Sequence, residues 1–176
     1  MARPSDTKAR IQAVARELFV EQGVQNTSLK QISDRLGITK PALYYHFESR
    51  EDLVRSIIQP LIDELEAFVS EREPGDDQRL LEEYFDLTWK HREVILVVLH
   101  APAALVELDL MDRMWAWRKE LTTLLLGPAP STAARIHATV ALGGMSDCVV
   151  EHASLPFEEV KAAAVAAAVA ALGLPG

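Results

Sequence analysis

Apolar residues recur three and four positions apart along almost the whole chain, and no segment alternates apolar and polar residues as a strand does. The first stripe, Ile11, Val14, Ala15, Leu18 and Phe19, predicts a helix from about Asp6 to Gln22, closed by Gly23. Leu29, Ile32 and Leu36 predict a second, short helix. Ser28 stands at its start with Gln31 three residues on, the pairing of a capping box. Gly37 falls where this helix has to stop, because glycine takes left-handed dihedrals without steric cost. Thr39 caps a third helix, Lys40 to Phe47, with Pro41 in the first turn, where a missing N–H does no harm. Leu43 and Phe47, four apart, form its inward stripe. Together these helices predict a compact head with a core of Ile11, Ala15, Leu18, Phe19, Ile32, Leu36, Leu43 and Phe47.

Beyond the head the helical period continues. Ser49 with Asp52 opens a fourth helix, on which Leu53, Ile57, Leu61, Leu65 and Phe68 share a face to about Glu73. Pro60 lies inside it, removes the hydrogen bond to residue 56 and predicts a bend. Glu73-Pro74-Gly75-Asp76-Asp77 is the clearest break. A fifth helix carries Leu80, Leu81, Tyr84, Phe85, Leu87, Thr88 and Trp89. A sixth, Glu93 to about Ala103, is apolar on most sides and ends or kinks near Pro102. The seventh runs from Leu108 to Leu126, before Gly127-Pro128-Ala129-Pro130. The eighth runs from its cap Ser131 to about Ala153, and the ninth from Ser154 and Pro156 to Leu172, with Gly173 as its stop. The expectation is an all-α fold of about nine helices.

The third helix leaves Lys40, Tyr44, Tyr45 and His46 mostly outside, and a short outward-facing helix of this kind is what enters a DNA major groove. Its surroundings are Gly23, Ser28 four residues before Ile32, the run Leu36-Gly37-Ile38-Thr39-Lys40-Pro41-Ala42-Leu43-Tyr44-Tyr45-His46-Phe47, and Ser49-Arg50-Glu51-Asp52-Leu53. Over roughly residues 8 to 55 this pattern resembles the tetracycline-repressor (TetR) family of bacterial transcription regulators. Ser33 departs from it, standing where a small apolar residue is usual, and so does Glu48, where a neutral or basic residue is common. The resemblance implies a helix-turn-helix DNA-binding domain over residues 1–48 and a ligand-binding and dimerisation domain over 49–176. It implies a repressor that binds a palindromic, double-stranded operator as a dimer and is released by a small apolar effector. Lys40, Tyr44, Tyr45, His46 and Arg50 are the implied DNA contacts. Lys40 reaches a base edge or phosphate, and the tyrosines offer hydroxyls to phosphates and ring edges to thymine methyls. Ser28 and Lys30 stand at a helix start, where free N–H groups suit a phosphate. Thr39 caps the reading helix, and Pro41 and Ala42 make apolar base contacts.

Net charge changes this picture only through its distribution. The 176 residues sum to −8. Residues 1–50 hold eight basic and five acidic side chains, a net of +3, so the remainder carries −11. A mildly basic head on an acidic body keeps attraction to DNA local to the head. No apolar run approaches a membrane span, and the start of the chain carries no secretory pattern. The single cysteine, Cys148, cannot form an internal disulfide, which fits a reducing cytoplasm.

Large soft residues gather in the body, where the resemblance implies a pocket. Leu65, Phe85, Trp89 and His100 are candidate lining residues, with Met114, Trp115, Arg118 and Met145 on later helices; plain core packing is the alternative for each. Trp115 and Trp117 are two apart on a helix and cannot both face one cavity. Cys148 and His152, four apart, lack a third metal ligand nearby, so neither a metal nor a cofactor is expected. There is no phosphate-binding glycine loop, GxSxG turn or HExxH pair. Gly143-Gly144 on the eighth helix and the alanines of the ninth, with Val160, Val165, Val169 and Leu172, allow close helix approach and make these two helices the expected homodimer contact. A small all-α ligand carrier or enzyme without DNA binding, and a helical adaptor for protein partners, are the competing readings.

Overall fold

The computed structural model describes residues 4–100 and 102–174. All regular structure among them is helical, in ten helices, and the chain divides into two compact units. The first unit holds α1 (Pro4–Gln22), α2 (Leu29–Leu36), α3 (Lys40–Tyr44), the start of α4 (Arg50–Ser70), the end of α6 (Arg92–His100) and α7 (Pro102–Glu107). The second holds the rest of α4, α5 (Asp77–Lys90), the start of α6, α8 (Met111–Leu126) from Asp112, α9 (Thr132–Glu151) and α10 (Phe157–Leu172).

In the first unit, Ile11, Ala15, Leu18, Phe19, Ile32, Leu43 and Phe47 are buried together with Leu53, Ile57 and Ile58 of α4. Leu36, expected in this core, is only half-buried, and the buried position on α2 is Ser33. A serine is tolerated there because its Oγ donates to the Lys30 carbonyl at 2.8 Å, so no polar atom is left unpaired. The capping box on α2 forms in full. Ser28 Oγ accepts from the Gln31 N–H, and Gln31 Oε1 accepts from the Ser28 N–H at 2.8 Å. A Ser28→Ala change is expected to lower stability by ~1 kcal/mol. Urea unfolding checks this, and an unshifted midpoint would remove the cap from the account of α2.

Two boundaries differ from the sequence expectation. α3 ends at Tyr44 rather than Phe47, because the His46 and Phe47 N–H groups both turn back to the Leu43 carbonyl, which drops the Phe47 ring into the core. The sixth helix, expected to end or kink near Pro102, is described as α6 to His100 and α7 from Pro102, and residue 101 between them lies outside the described residues. The helix expected from Leu108 begins at Met111. Here Asp109 adopts φ 54, the Leu110 N–H reaches the Leu105 carbonyl at 2.8 Å, and the Asp109 N–H reaches that of Val106. This is a Schellman stop, sealed by buried Leu105 and Leu110, with aspartate in the position glycine usually takes.

In the second unit α10 packs along α9, and α5 packs against both. The buried residues are Ala138, Ala141, Leu142, Met145 and Val149 on α9 and Val160, Ala164, Val165 and Ala168 on α10, and the alanines among them permit close approach. Lys161 of α10 pairs with Asp86 of α5 at 2.6 Å. Arg113 of α8 grips α4 through Glu66 and Asp63 at 2.6 and 2.7 Å. No helix among the described residues is long and apolar enough to cross a membrane.

Candidate nucleic-acid interface

The exposed edge of the first unit is built by the turn between α2 and α3. Gly37, at φ 70, reverses the chain with the Schellman bonds of Gly37 N–H to Asp34 and Ile38 N–H to Ser33. Thr39 Oγ1 accepts from the Ala42 N–H at 3.3 Å and starts α3, while buried Leu43 and Phe47 fix its rotation about its own axis. Everything else on α3 then faces outward. Lys40, Pro41 and Ala42 are exposed, Tyr44 is 52% exposed and Tyr45 80%, and the half-buried His46 ring lies edge-on to Tyr45 at 5.1 Å. Lys40 has no partner among the described residues. Two phenols and an ammonium are therefore presented together on one short helix.

Beside them lies an open cleft of about 520 Å³, lined by Ser28 and Lys30 of the α2 start, Lys40 and Tyr44 of α3, and Ser49 and Arg50 at the head of α4. These six are all residues the sequence singled out, except Ser49. The cleft also contains carboxylates. Lys30 is held by Asp34 at 2.7 Å on the exposed surface, an interaction of small net value. The Arg50 guanidinium is engaged inside the protein: Nη1 donates to the Gln25 carbonyl at 3.2 Å, and Nη2 donates to Glu51 at 3.1 Å. Gln25 in turn donates from its side chain to Glu107 of α7 at 3.0 Å. The Glu51 carboxyl is held below its ordinary range, first by its own backbone N–H, with Arg50 adding to the shift. The sequence gives no sign of Gln25 or Glu107 in this role, because they stand 82 residues apart and obey no shared period.

The residues expected to line a pocket in the body do not form one set. Leu65, Phe85 and Met145 are buried in the second unit. Trp89 stacks on Phe85 at 5.8 Å and meets Phe157 edge-on at 5.4 Å, so it closes the α5–α10 packing. Met114 and Arg118 are half-buried on α8. His100 is an exposed residue of the first unit, with Nδ1 2.8 Å from the Leu96 carbonyl. Trp115 is 58% exposed, and Trp117 is the tryptophan that turns inward, its ring 6.3 Å from Tyr84. Spacing showed that one of the two had to face away and could not say which. Tyr84, read from sequence only as part of the fifth helix, and Ser146 are not among the pocket candidates; their hydroxyls pair at 2.9 Å within the second unit. Burial pushes the Tyr84 phenol above its ordinary range, so it is a neutral hydrogen-bonding group. The Trp117 indole N–H is buried without a partner. Burial, with Asp147 and Glu151 nearby, also raises the Cys148 thiol, which disfavours the thiolate a metal would require. Among the described residues no three His, Cys, Asp or Glu side chains converge.

Comparison with known proteins bears on the same segment. Residues 11–57 match the family described as bacterial regulatory proteins, tetR family. The HTH-type transcriptional regulator AcrR of Shigella flexneri is 38% identical over 81 residues, which cover 44% of this chain and 38% of that protein. An HTH-type transcriptional regulator of Staphylococcus aureus (strain USA300) is 40% identical over 58 residues, 33% of this chain and 31% of its own. The chain thus spans under two fifths of the length of these relatives. Among solved structures, a transcriptional regulator of Aquifex aeolicus superposes with a TM-score of 0.70 at 23% identity, covering 91% of this chain and 96% of that one. The ketosteroid transcriptional regulator KstR2 of Mycobacterium tuberculosis gives 0.70 at 19% identity, covering 95% and 93%. At these identities the structures speak for the fold, and the sequence of the head speaks for the relationship. With the turn, the capped outward helix and the start of α4 in one register, residues 11–57 carry the head of the TetR family of bacterial regulatory proteins, and the chain as a whole shares the fold of the solved regulators.

Proposed function

We propose that the chain is a DNA-binding transcriptional regulator, and not an enzyme, that reads a palindromic operator as a homodimer in the bacterial cytoplasm. Residues 1–48 act as the reading head and 49–176 as the ligand-binding and dimerisation body. The observation that carries this reading is the outward row of Lys40, Tyr44 and Tyr45 on a helix whose rotation is fixed by buried Leu43 and Phe47. Lys40 meets a phosphate or a guanine edge, and the tyrosines meet phosphates and thymine methyls. Ser28, Lys30 and Arg50 hold backbone phosphates around the adjoining cleft.

Two further features support the finer reading. α9 is apolar on its inward face and also on its outward one, where Ile136 and Val140 are exposed in line with Gly144, four residues apart. A second copy of the α9–α10 face covers these residues. In the body, the Trp117 N–H is buried without a partner, the Tyr84 and Ser146 hydroxyls pair, and Arg118 stands near Tyr84. They suit a largely apolar effector bearing a hydrogen-bond acceptor, whose occupancy releases the DNA in the manner of a repressor.

The test is a gel shift with the DNA flanking the chain's own gene, titrated against salt. Specific retention of a palindromic duplex is expected, with log affinity falling linearly in log salt. Equal affinity for every duplex at every salt concentration would leave the carrier or enzyme reading in its place.

A further inference from the structure

Pro60 sits in the interior of α4 and has no N–H, so the carbonyl four residues earlier, on Ser56, lacks its helical partner. That carbonyl is not left to itself. Gln12 of α1 donates its side-chain amide to the Ser56 carbonyl at 3.2 Å and to Ser56 Oγ at 3.0 Å. Ser56 Oγ in turn gives its own hydrogen to the Leu53 carbonyl at 2.8 Å. The direction of the Gln12 amide is therefore fixed by chemistry. Both of its partners are acceptors here, so the nitrogen must face α4, and each of its two hydrogens has a use. The bond lies at the edge of the core formed by Ile11, Ala15, Leu53 and Ile57, all buried.

The geometry points to Gln12 as a positioning residue for DNA reading, a pin that holds the head to α4 through the carbonyl Pro60 exposes. This inference rests on the DNA-reading proposal. α1 carries the head's core, and α4 leaves the first unit at Ile62, two residues past the proline. A proline in a helix supplies a weak point at which α4 can bend. The Gln12 amide occupies that weak point from the side of the head, so the N-terminal part of α4 and the head move as one body. Without the pin the head is free to rock on α4, and the separation of two heads in a dimer is less well defined. No apolar side chain can substitute, because only a donor satisfies the exposed carbonyl.

The experiment is a double-mutant cycle with a second readout. Gln12→Met removes the donor at nearly constant volume. Pro60→Ala restores an N–H to the Ser56 carbonyl. In the Pro60 background Gln12→Met is expected to lower the folding equilibrium constant about fivefold to tenfold, and in the Pro60→Ala background about twofold. Gln12→Glu, with acceptor oxygens only, is expected to behave at least as badly as Gln12→Met. The second readout is a series of selected operators whose half-sites are moved apart by single base pairs. The wild type is expected to lose about tenfold in affinity on a one-base-pair insertion and Gln12→Met about twofold. Equal costs of Gln12→Met in both proline backgrounds would overturn the pin. A clear cycle with an unchanged spacing profile would overturn the positioning role. A wild type that selects no duplex would overturn the DNA-reading proposal and this role with it, and the cycle would still decide the hydrogen bond.

Discussion

Gly144→Glu is expected to convert the protein to a monomer and to lower its operator affinity by about 10²–10⁴-fold. The size of the effect comes from linkage: two heads on one dimer engage two half-sites at a high effective concentration, and a lone head loses that advantage. The substitution is a clean one within a single subunit. Gly144 is exposed on α9, and a Cβ built there meets nothing within 4 Å. Glutamate is also a better helix former than glycine, by under about 1 kcal/mol per residue, so the isolated fold should hold or gain. In a symmetric interface, however, each copy brings its own carboxylate to the same patch, next to Val140 and Ile136. Two like charges placed among apolar side chains have no counter-ion and lose their water. Sedimentation and an operator titration on the same samples make the measurement. A wild type that is already monomeric at micromolar concentration, or a Gly144→Glu dimer with full affinity, would refute the α9–α10 interface.

Lys40→Ala and Tyr44→Ala are each expected to weaken operator binding by ~1–3 kcal/mol, about fivefold to 150-fold, and to differ in their response to salt. Lys40 is a cation without an internal partner. If it meets a phosphate, removing it should reduce the slope of log affinity against log salt by about 1. Tyr44 is uncharged, so its loss should lower affinity at every salt concentration and leave the slope in place. Both side chains are exposed and contribute little to the core, so thermal unfolding should be close to that of the wild type for both. Wild-type affinity in both variants would take α3 out of the interface.

The head was readable from sequence because its determinants are local. A capping box spans three residues, a glycine stop is one residue, and Leu43 and Phe47 set the outward face by a single helical repeat. The cap, the stop and the burial of Leu43 and Phe47 stand as read, although α3 itself ends at Tyr44. What stayed hidden was of two kinds. One was a local motif with an unexpected residue: the stop before α8 uses Asp109 where Gly37 and Gly173 mark the same bonds elsewhere, so the pattern carried no glycine to find. The other was nonlocal. Spacing shows that Trp115 and Trp117 face different ways, but only the position of α5 decides that Trp117 meets Tyr84. Gln12 reads as a solvated polar residue until α4 is placed beside α1. The proline's missing hydrogen bond to residue 56 was legible, and the side chain that answers it was not.

The chain of contacts from Glu107 through Gln25 to Arg50 has a consequence for how such a protein can diverge. Arg50 is a cation of the proposed reading cleft whose hydrogen bonds lead through Gln25 to a residue on α7, far away in sequence. A change at position 107 alters how firmly Gln25, and so Arg50, is held, without touching any atom that meets a base. If the cleft holds DNA as proposed, descendants of this chain could drift in how strongly they grip it while keeping the same operator, and recover a lost grip by a second change in a helix outside the proposed interface.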